Sequence, residues 1–138
     1  MAIEKTLVLI KPDGVKRKLV GEIISIYEKK NLNISSLKIV KADRALAENH
    51  YIEHKGRSYF EDLVVFITED NLCAMIIEGE NAIELVRKIN GNKNPLEADM
   101  GSIRGRFSGE TTKNLVHASD SIDSAKREMA IWFPEFKE

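Results

Sequence analysis

The fold of this chain is decided near its start, by T-L-V-L-I-K-P-D-G, Thr6 to Gly14. Thr6 to Ile10 is an unbroken β-branched and aliphatic run, the pattern of a buried strand. Lys11-Pro12-Asp13-Gly14 then stops it with a strong turn signal. Leu72 to Ile77, L-C-A-M-I-I, is a second buried run of the same kind. Between them Ser36 to Lys41 alternates, with Leu37 and Ile39 facing one way and Ser36 and Lys38 the other, as in a half-exposed strand. A fourth strand is expected at Leu115 and Val116.

Helices fill the gaps. Val20, Ile23, Ile24 and Tyr27 recur at helical spacing, with Asn31 as a C-terminal cap. Ala45 to Lys55 reads as a helix closed by Gly56. Ser58 and Glu61 form a capping box ahead of the apolar face of Phe60, Leu63, Val64 and Ile67. Ala82, Leu85, Val86 and Ile89 mark another helix, closed by Gly91. Ile122, Ala125, Met129 and Trp132 form the stripe of a last helix that Pro134 ends. From Gly91 to Asn114 the periodicity fails. Long glycine-rich, basic loops inside compact domains are often functional, and a short helical turn is expected around Arg104.

This order predicts an α+β fold of the ferredoxin-like βαββαβ type. It has a four-stranded antiparallel sheet, helices on one face, an extra helix between the second and third strands, and a long loop insertion before the last strand. The 138 residues, 43% hydrophobic and 31% charged, suit one domain spanning 1–138. With 21 basic and 22 acidic residues, the net charge of -1 argues against gripping nucleic acid through bulk charge. A single cysteine, Cys73, allows neither a disulfide framework nor a cysteine metal cage within the chain. The opening M-A-I-E-K-T shows no signal peptide, and no apolar run approaches the roughly 20 residues of a membrane span. A cytoplasmic protein is expected.

Three histidines are candidates for chemistry. His50-Tyr51-Ile52-Glu53-His54 matches H-x-x-E-H, a zinc-peptidase pattern, but it is short, lacks a third ligand, and also suits a solvated helix face. No P-loop motif is present, and Gly101, Gly105 and Gly109 do not have dinucleotide-fingerprint spacing. Phosphate could be held by dispersed cations instead: Lys11, Arg87, Lys93 and Arg104. His117, in N-L-V-H-A-S-D-S (Asn114 to Ser121), reads either as a structural histidine or as a nucleophile. The second reading gains from three neighbours: a helix N-terminus at Ser119, Asp120 and Ser121, the basic loop upstream, and Glu128, placed to orient one ring nitrogen and leave the other free.

N-L-V-H-A-S-D-S strongly resembles the active-site signature of nucleoside diphosphate kinases. T-L-V-L-I-K-P-D-G resembles that family's first strand and its lysine. G-N-K-N-P (Gly91 to Pro95) and G-S-I-R-G-R-F (Gly101 to Phe107) resemble its nucleotide loop, and E-M-A-I-W-F (Glu128 to Phe133) its final helix. The similarity covers essentially the whole chain in order. It implies a ferredoxin-like fold and ping-pong transfer of the γ-phosphate of a nucleoside triphosphate, commonly ATP, to a nucleoside diphosphate through a phosphohistidine. It also implies Mg2+ carried with the nucleotide phosphates, and a homo-oligomer, either a tetramer or a hexamer assembled from dimers.

Position by position, the resemblance makes His117 the phosphate acceptor, Glu128 the carboxylate that steadies it, and Ser119 the hydroxyl bonded to that carboxylate. Lys11 and Asn114 match residues that hold the ribose hydroxyls, the lysine also lying near the transferred group. Tyr51 matches a tyrosine beside the histidine, and Arg87 and Arg104 match phosphate-binding arginines. Phe60 matches the aromatic on which the base stacks, although it and Tyr51 read equally as core residues. There are departures. Lys93 stands where the family carries a phosphate-binding threonine, and remains a candidate phosphate contact as a point charge. Met100 and Arg106 replace proline and aspartate, and Ala118 replaces glycine.

Two other functions compete. Ferredoxin-like sheets bind RNA through exposed aromatics, but the strand motif for that is missing and aromatic content is 7%. A zinc peptidase would use His50 and His54.

Overall fold

The computed structural model describes residues 3–135; Met1 and Ala2, at the start of the N-terminus discussed above, lie outside them. Four strands, β1 (Ile3–Ile10), β2 (Asn33–Val40), β3 (Leu72–Glu80) and β4 (Val116–Ala118), form one sheet in the order β2-β3-β1-β4. Every pairing is antiparallel, and Leu9 faces His117 across the β1–β4 pair. This is the ferredoxin-like order, with the first and third strands central.

The expected single-sided helix layer does not form: helices cover both faces. Leu7 and Leu9 point into one core with α3 (Arg44–His50), α4 (Phe60–Thr68) and α7 (Ile122–Trp132). Val8 and Ile10 point into the other, with α2 (Val20–Lys29) and α5 (Ala82–Asn90). The reason lies in the two continuous apolar runs. A strand without alternation has no polar face to give to water, so β1 and β3 need cover on both sides.

Several local expectations shift. Lys-Pro-Asp-Gly opens a short helix, α1 (Pro12–Lys16), rather than a bare turn, with Pro12 in the first turn, where a missing N–H costs nothing. The helix expected over Ala45 to Lys55 ends at His50 and continues as a 3-10 turn, Ile52–His54. Asp43 caps its start by accepting the Leu46 N–H at 2.8 Å. The Ser58–Glu61 capping box is absent: α4 has no side-chain cap, and Glu61 instead takes both guanidinium arms of Arg44. On β2 the apolar side chains Leu37 and Ile39 face outward, 49% and 54% exposed. Ile122 is likewise exposed at the start of α7, while Ala125, Met129 and Trp132 are buried.

The long loop from Gly91 to Asn114 folds back on itself around α6 (Ile103–Phe107), the helical turn expected at Arg104. Ser102 caps it, accepting the Gly105 N–H at 3.0 Å. Gly105 is required there, because a Cβ would lie 1.8 Å from the Asp99 carbonyl oxygen.

Candidate active site

The site forms where β1 and β4 end side by side. Lys11 follows β1 and takes its backbone bond from β4's approach, its N–H donating to the Leu115 carbonyl at 2.7 Å. Its ammonium is buried and donates to Asn114 Oδ1 at 2.9 Å. Burial, then the nearby Arg104 and Lys93 cations, lower the Lys11 pKa to about 8, against the pull of Asp13. Asp13 accepts the Leu115 N–H at 3.1 Å, pinning the approach to β4 from the other side.

Leu115 adopts φ +76°, and the Val116 N–H reaches back to the Asn114 carbonyl at 2.9 Å, closing a γ-turn. A β-carbon residue in that conformation is strained and persists only where its surroundings over-determine it. Here they do. Arg104 donates Nε to the Asn114 carbonyl at 3.3 Å, Nη1 to Gly91 at 2.7 Å and Nη2 to Val116. Burial lowers the guanidinium pKa to about 10. One planar fork thus ties the end of α5, the γ-turn and β4 into one body.

His117 sits in the middle of β4, on the face shared with Leu9, its side chain 23% exposed. Its Nε2 donates to Glu128 Oε1 at 2.8 Å. Ser119 Oγ donates to the same oxygen at 2.8 Å and accepts the Leu7 N–H at 3.3 Å, so the carboxylate is anchored to the sheet. Burial alone would raise the Glu128 pKa, but the His117 and Ser119 contacts outweigh it and hold the carboxyl below its ordinary range. His117 Nδ1 makes no hydrogen bond among the described residues, and with the proton on Nε2 facing Glu128 it is the nitrogen whose lone pair is free whenever the ring is neutral.

A cleft of about 700 Å³ opens in front of that ring. Lys11, Arg87, Lys93 and Arg104 all line it, although they come from four different segments, and so do Asn114, Tyr51, Thr111 and Thr112. Arg87 is aimed by a bond to the Ala118 carbonyl at 3.3 Å. Tyr51 is 7% exposed, its hydroxyl has no partner, and burial followed by the Glu128 charge raises its pKa. Phe60 is not brought to the cleft. It packs against the core beneath α4, and its neighbour Tyr59, 44% exposed, lines the cleft mouth instead with its hydroxyl 2.9 Å from His54 Nδ1.

The zinc pattern does not assemble. Two histidines four apart share a helix face only while the helix continues, and α3 ends at His50. His54 is bonded to Tyr59, and His50 Nδ1 accepts the Trp132 indole N–H at 3.0 Å. His50, His117 and Glu128 do bring one ligand atom each within 4.8 Å of one another. However, His117 Nε2 and Glu128 are spent on each other. Sequence reasoning missed Tyr59, Asp13 and the place of His50 beside His117. The only signal for His50 was the H-x-x-E-H string, which pointed to the wrong partner.

An imidazole with one free nitrogen, facing a cleft walled by four cations on a ferredoxin-like sheet, defines the class: an enzyme that handles nucleotide phosphates. Residues 4–137 match the family model "Nucleoside diphosphate kinase". The chain is 53% identical to the nucleoside diphosphate kinase of Sulfurisphaera tokodaii, over 98% of this chain and 92% of that one. It is 50% identical to that of Caldanaerobacter subterraneus subsp. tengcongensis, over 96% of each. Its structure is similar to crystal structures of the nucleoside diphosphate kinase of Aquifex aeolicus (TM-score 0.92, 33% identity, 96% of each chain) and of Encephalitozoon cuniculi (TM-score 0.92, 35% identity, 94% and 88%). The chain belongs to the nucleoside diphosphate kinase family, and its activity is that of a nucleoside diphosphate kinase. Nothing favours the RNA-binding alternative, because the central strands β1 and β3 carry no aromatic residue and are covered on both faces.

Proposed function

We propose that His117 carries the phosphoryl group in a ping-pong cycle. The observation behind this is the bond from His117 Nε2 to Glu128, which leaves Nδ1 as the only free ring nitrogen. In the first half-reaction the Nδ1 lone pair attacks the γ-phosphorus of a nucleoside triphosphate. The P–N bond forms as the bond to the β,γ-bridging oxygen breaks, and the nucleoside diphosphate leaves. In the second half, a terminal oxygen of another diphosphate attacks the same phosphorus and the P–N bond breaks. Glu128 offsets the positive charge that grows on the ring, and Ser119 keeps the carboxylate in place.

The phosphates are held by Arg87, Arg104 and Lys93, with Lys11 near the transferred group. Lys11 and Asn114 hold the ribose hydroxyls, and Tyr51 stands beside the nucleophile. For the base, Tyr59 at the cleft mouth is the better placed aromatic, and Phe60 serves the core. Stacking alone accepts any base.

Mg2+ enters with the nucleotide. This ion prefers octahedral oxygens, with waters and substrate phosphates as most of its ligands. That fits a cleft whose one buried carboxylate, Glu128, is already engaged, while its other lining carboxylates, Glu53, Asp62 and Asp120, are exposed. When bound, it spreads the phosphate charge.

The chain is read as one catalytic domain, residues 1–138; in support, the two cores of the described residues share a single sheet. Assembly into a tetramer or hexamer is supported by outward Leu37 and Ile39 on edge strand β2 and by Leu96 and Met100, 93% and 80% exposed in the loop. A cytoplasmic location agrees with a lone buried thiol and with the absence, among the described residues, of any helix long and apolar enough to cross a membrane.

The test is labelling with γ-labelled ATP. An acid-labile, alkali-stable phosphoenzyme is expected, and it is lost in His117→Ala. A labelled His117→Ala protein overturns the reading.

A further inference from the structure

A single hydrogen bond does not fix a ring. The contact from His117 Nε2 to Glu128 holds one corner of the imidazole, yet the ring can still turn about that axis and swing Nδ1 away from a phosphorus in the cleft. Reactivity depends steeply on such placement. A second contact against the ring itself removes this freedom, and the structure has one.

That contact is His50, at the end of α3 and only 3% exposed. Its ring meets the His117 ring edge to face, with centroids 4.6 Å apart and planes at 79°. Behind it, the Trp132 indole N–H donates to His50 Nδ1 at 3.0 Å. An indole N–H can only donate, so Nδ1 carries no proton, and the neutral ring holds its one proton on Nε2. That Nε2 is buried without a hydrogen-bond partner. Buried donors are nearly always paired, so this nitrogen is an exception, and what His50 presents to His117 is its ring. Tyr51 packs on another side of His50, with ring centroids 4.7 Å apart. Burial comes first among the causes that hold the His50 pKa well below its ordinary value, followed by His117, Lys11, Arg127 and His54. His50 therefore adds no positive charge of its own beside His117.

We propose that His50, locked by Trp132, is a positioning residue that sets the plane of the His117 ring and so aims Nδ1 into the cleft. This rests on His117 being the phosphoryl acceptor. The role acts through His117 and involves no contact with nucleotide.

The test combines single-turnover phosphorylation of the full chain by ATP, equilibrium binding of ADP, and imidazole nitrogen NMR. His50→Ala is expected to slow phosphoenzyme formation by about 10- to 100-fold while the ADP Kd stays within about threefold. His50→Phe, which keeps a flat ring and loses both nitrogens, restores most of the rate. His50→Gln, which keeps an amide and loses the ring, does not restore it. In the wild-type protein His50 gives the Nε2–H tautomer and stays neutral around its ordinary titration range, whereas Trp132→Phe releases that tautomer. Full-speed phosphorylation in folded His50→Ala or His50→Gln overturns the proposal. So does a folded His50→Phe as slow as His50→Gln, or a loss of ADP affinity as large as the loss of rate. If His50→Ala does not fold, the Phe and Gln variants decide. His117→Ala separates the two ideas: labelling of that variant removes the acceptor reading, while its silence beside a full-speed His50→Gln removes only the proposal.

Discussion

His117 Nε2 and Ser119 Oγ both lie 2.8 Å from a single oxygen, Oε1 of Glu128. One carboxylate oxygen thus holds the His117 ring on one side and the end of the sheet on the other. Replacing Glu128 by Gln keeps the shape and removes the charge. We expect phosphoenzyme formation to fall by about 10- to 100-fold, the size of a hydrogen bond to a charged group. ADP binding should hold. Rapid-quench kinetics with a parallel binding titration check this; an unchanged rate would show that the carboxylate charge has no role in transfer.

Lys11 is a buried charge kept at a cost to stability. Its pKa in the folded chain is about 8 against an ordinary 10.5. The unfolded chain therefore binds more protons between those values. The penalty is complete below about pH 8 and is relieved as pH rises toward 10.5. Lys11→Met should accordingly melt higher than wild type at pH 7 without nucleotide, with the gap closing toward pH 10.5, while phosphorylation by ATP falls more than about tenfold. Calorimetry across pH settles the sign, and a lower melting temperature at pH 7 would contradict it.

Tyr59 and Phe60 separate binding from folding. Tyr59→Ala should weaken ADP binding by about 5- to 100-fold, the worth of a base–aromatic stack, with little change in melting temperature. Phe60→Ala should cost about 2 kcal/mol of stability, less than a fully buried phenylalanine, and leave the folded protein's ADP affinity intact. Chemical denaturation and calorimetric titration of both variants give the answer. The reverse pattern would return the stacking role to Phe60.

Arg104→Lys tests the brace on the γ-turn. A lysine cannot reach the carbonyls of Gly91, Asn114 and Val116 together. Stability should drop by about 2–3 kcal/mol as buried carbonyls lose donors, and phosphorylation should slow with it. A variant with wild-type melting and rate would mean that Leu115 holds its positive φ unaided.

Much of the fold was legible because it rests on short-range patterns. Thr6 to Ile10 and Leu72 to Ile77 read as buried strands, and most residues of the helical stripes face a core. Errors came where a residue had two partners to choose from. Glu61 had the spacing of a capping residue, yet Arg44, seventeen positions earlier in the chain, offered two bonds. The positions of Tyr59 and Phe60 were not legible either: adjacent residues at the start of a helix point about 100° apart, and Tyr59 lines the cleft while Phe60 packs against the core. Leu37 and Ile39 alternate as a strand should, but alternation does not say which side meets water.

The sequence by itself determined the order of elements, the nucleophile candidate and the cations available to it, because periodicity and local motifs are carried by neighbouring residues. Tertiary structure alone decided the two-sided cover of the sheet, the choice of Tyr59 for the cleft, and the seating of His50 between Trp132 and His117. Those contacts join residues tens of positions apart, and their geometry exists only once the two cores have closed on the sheet.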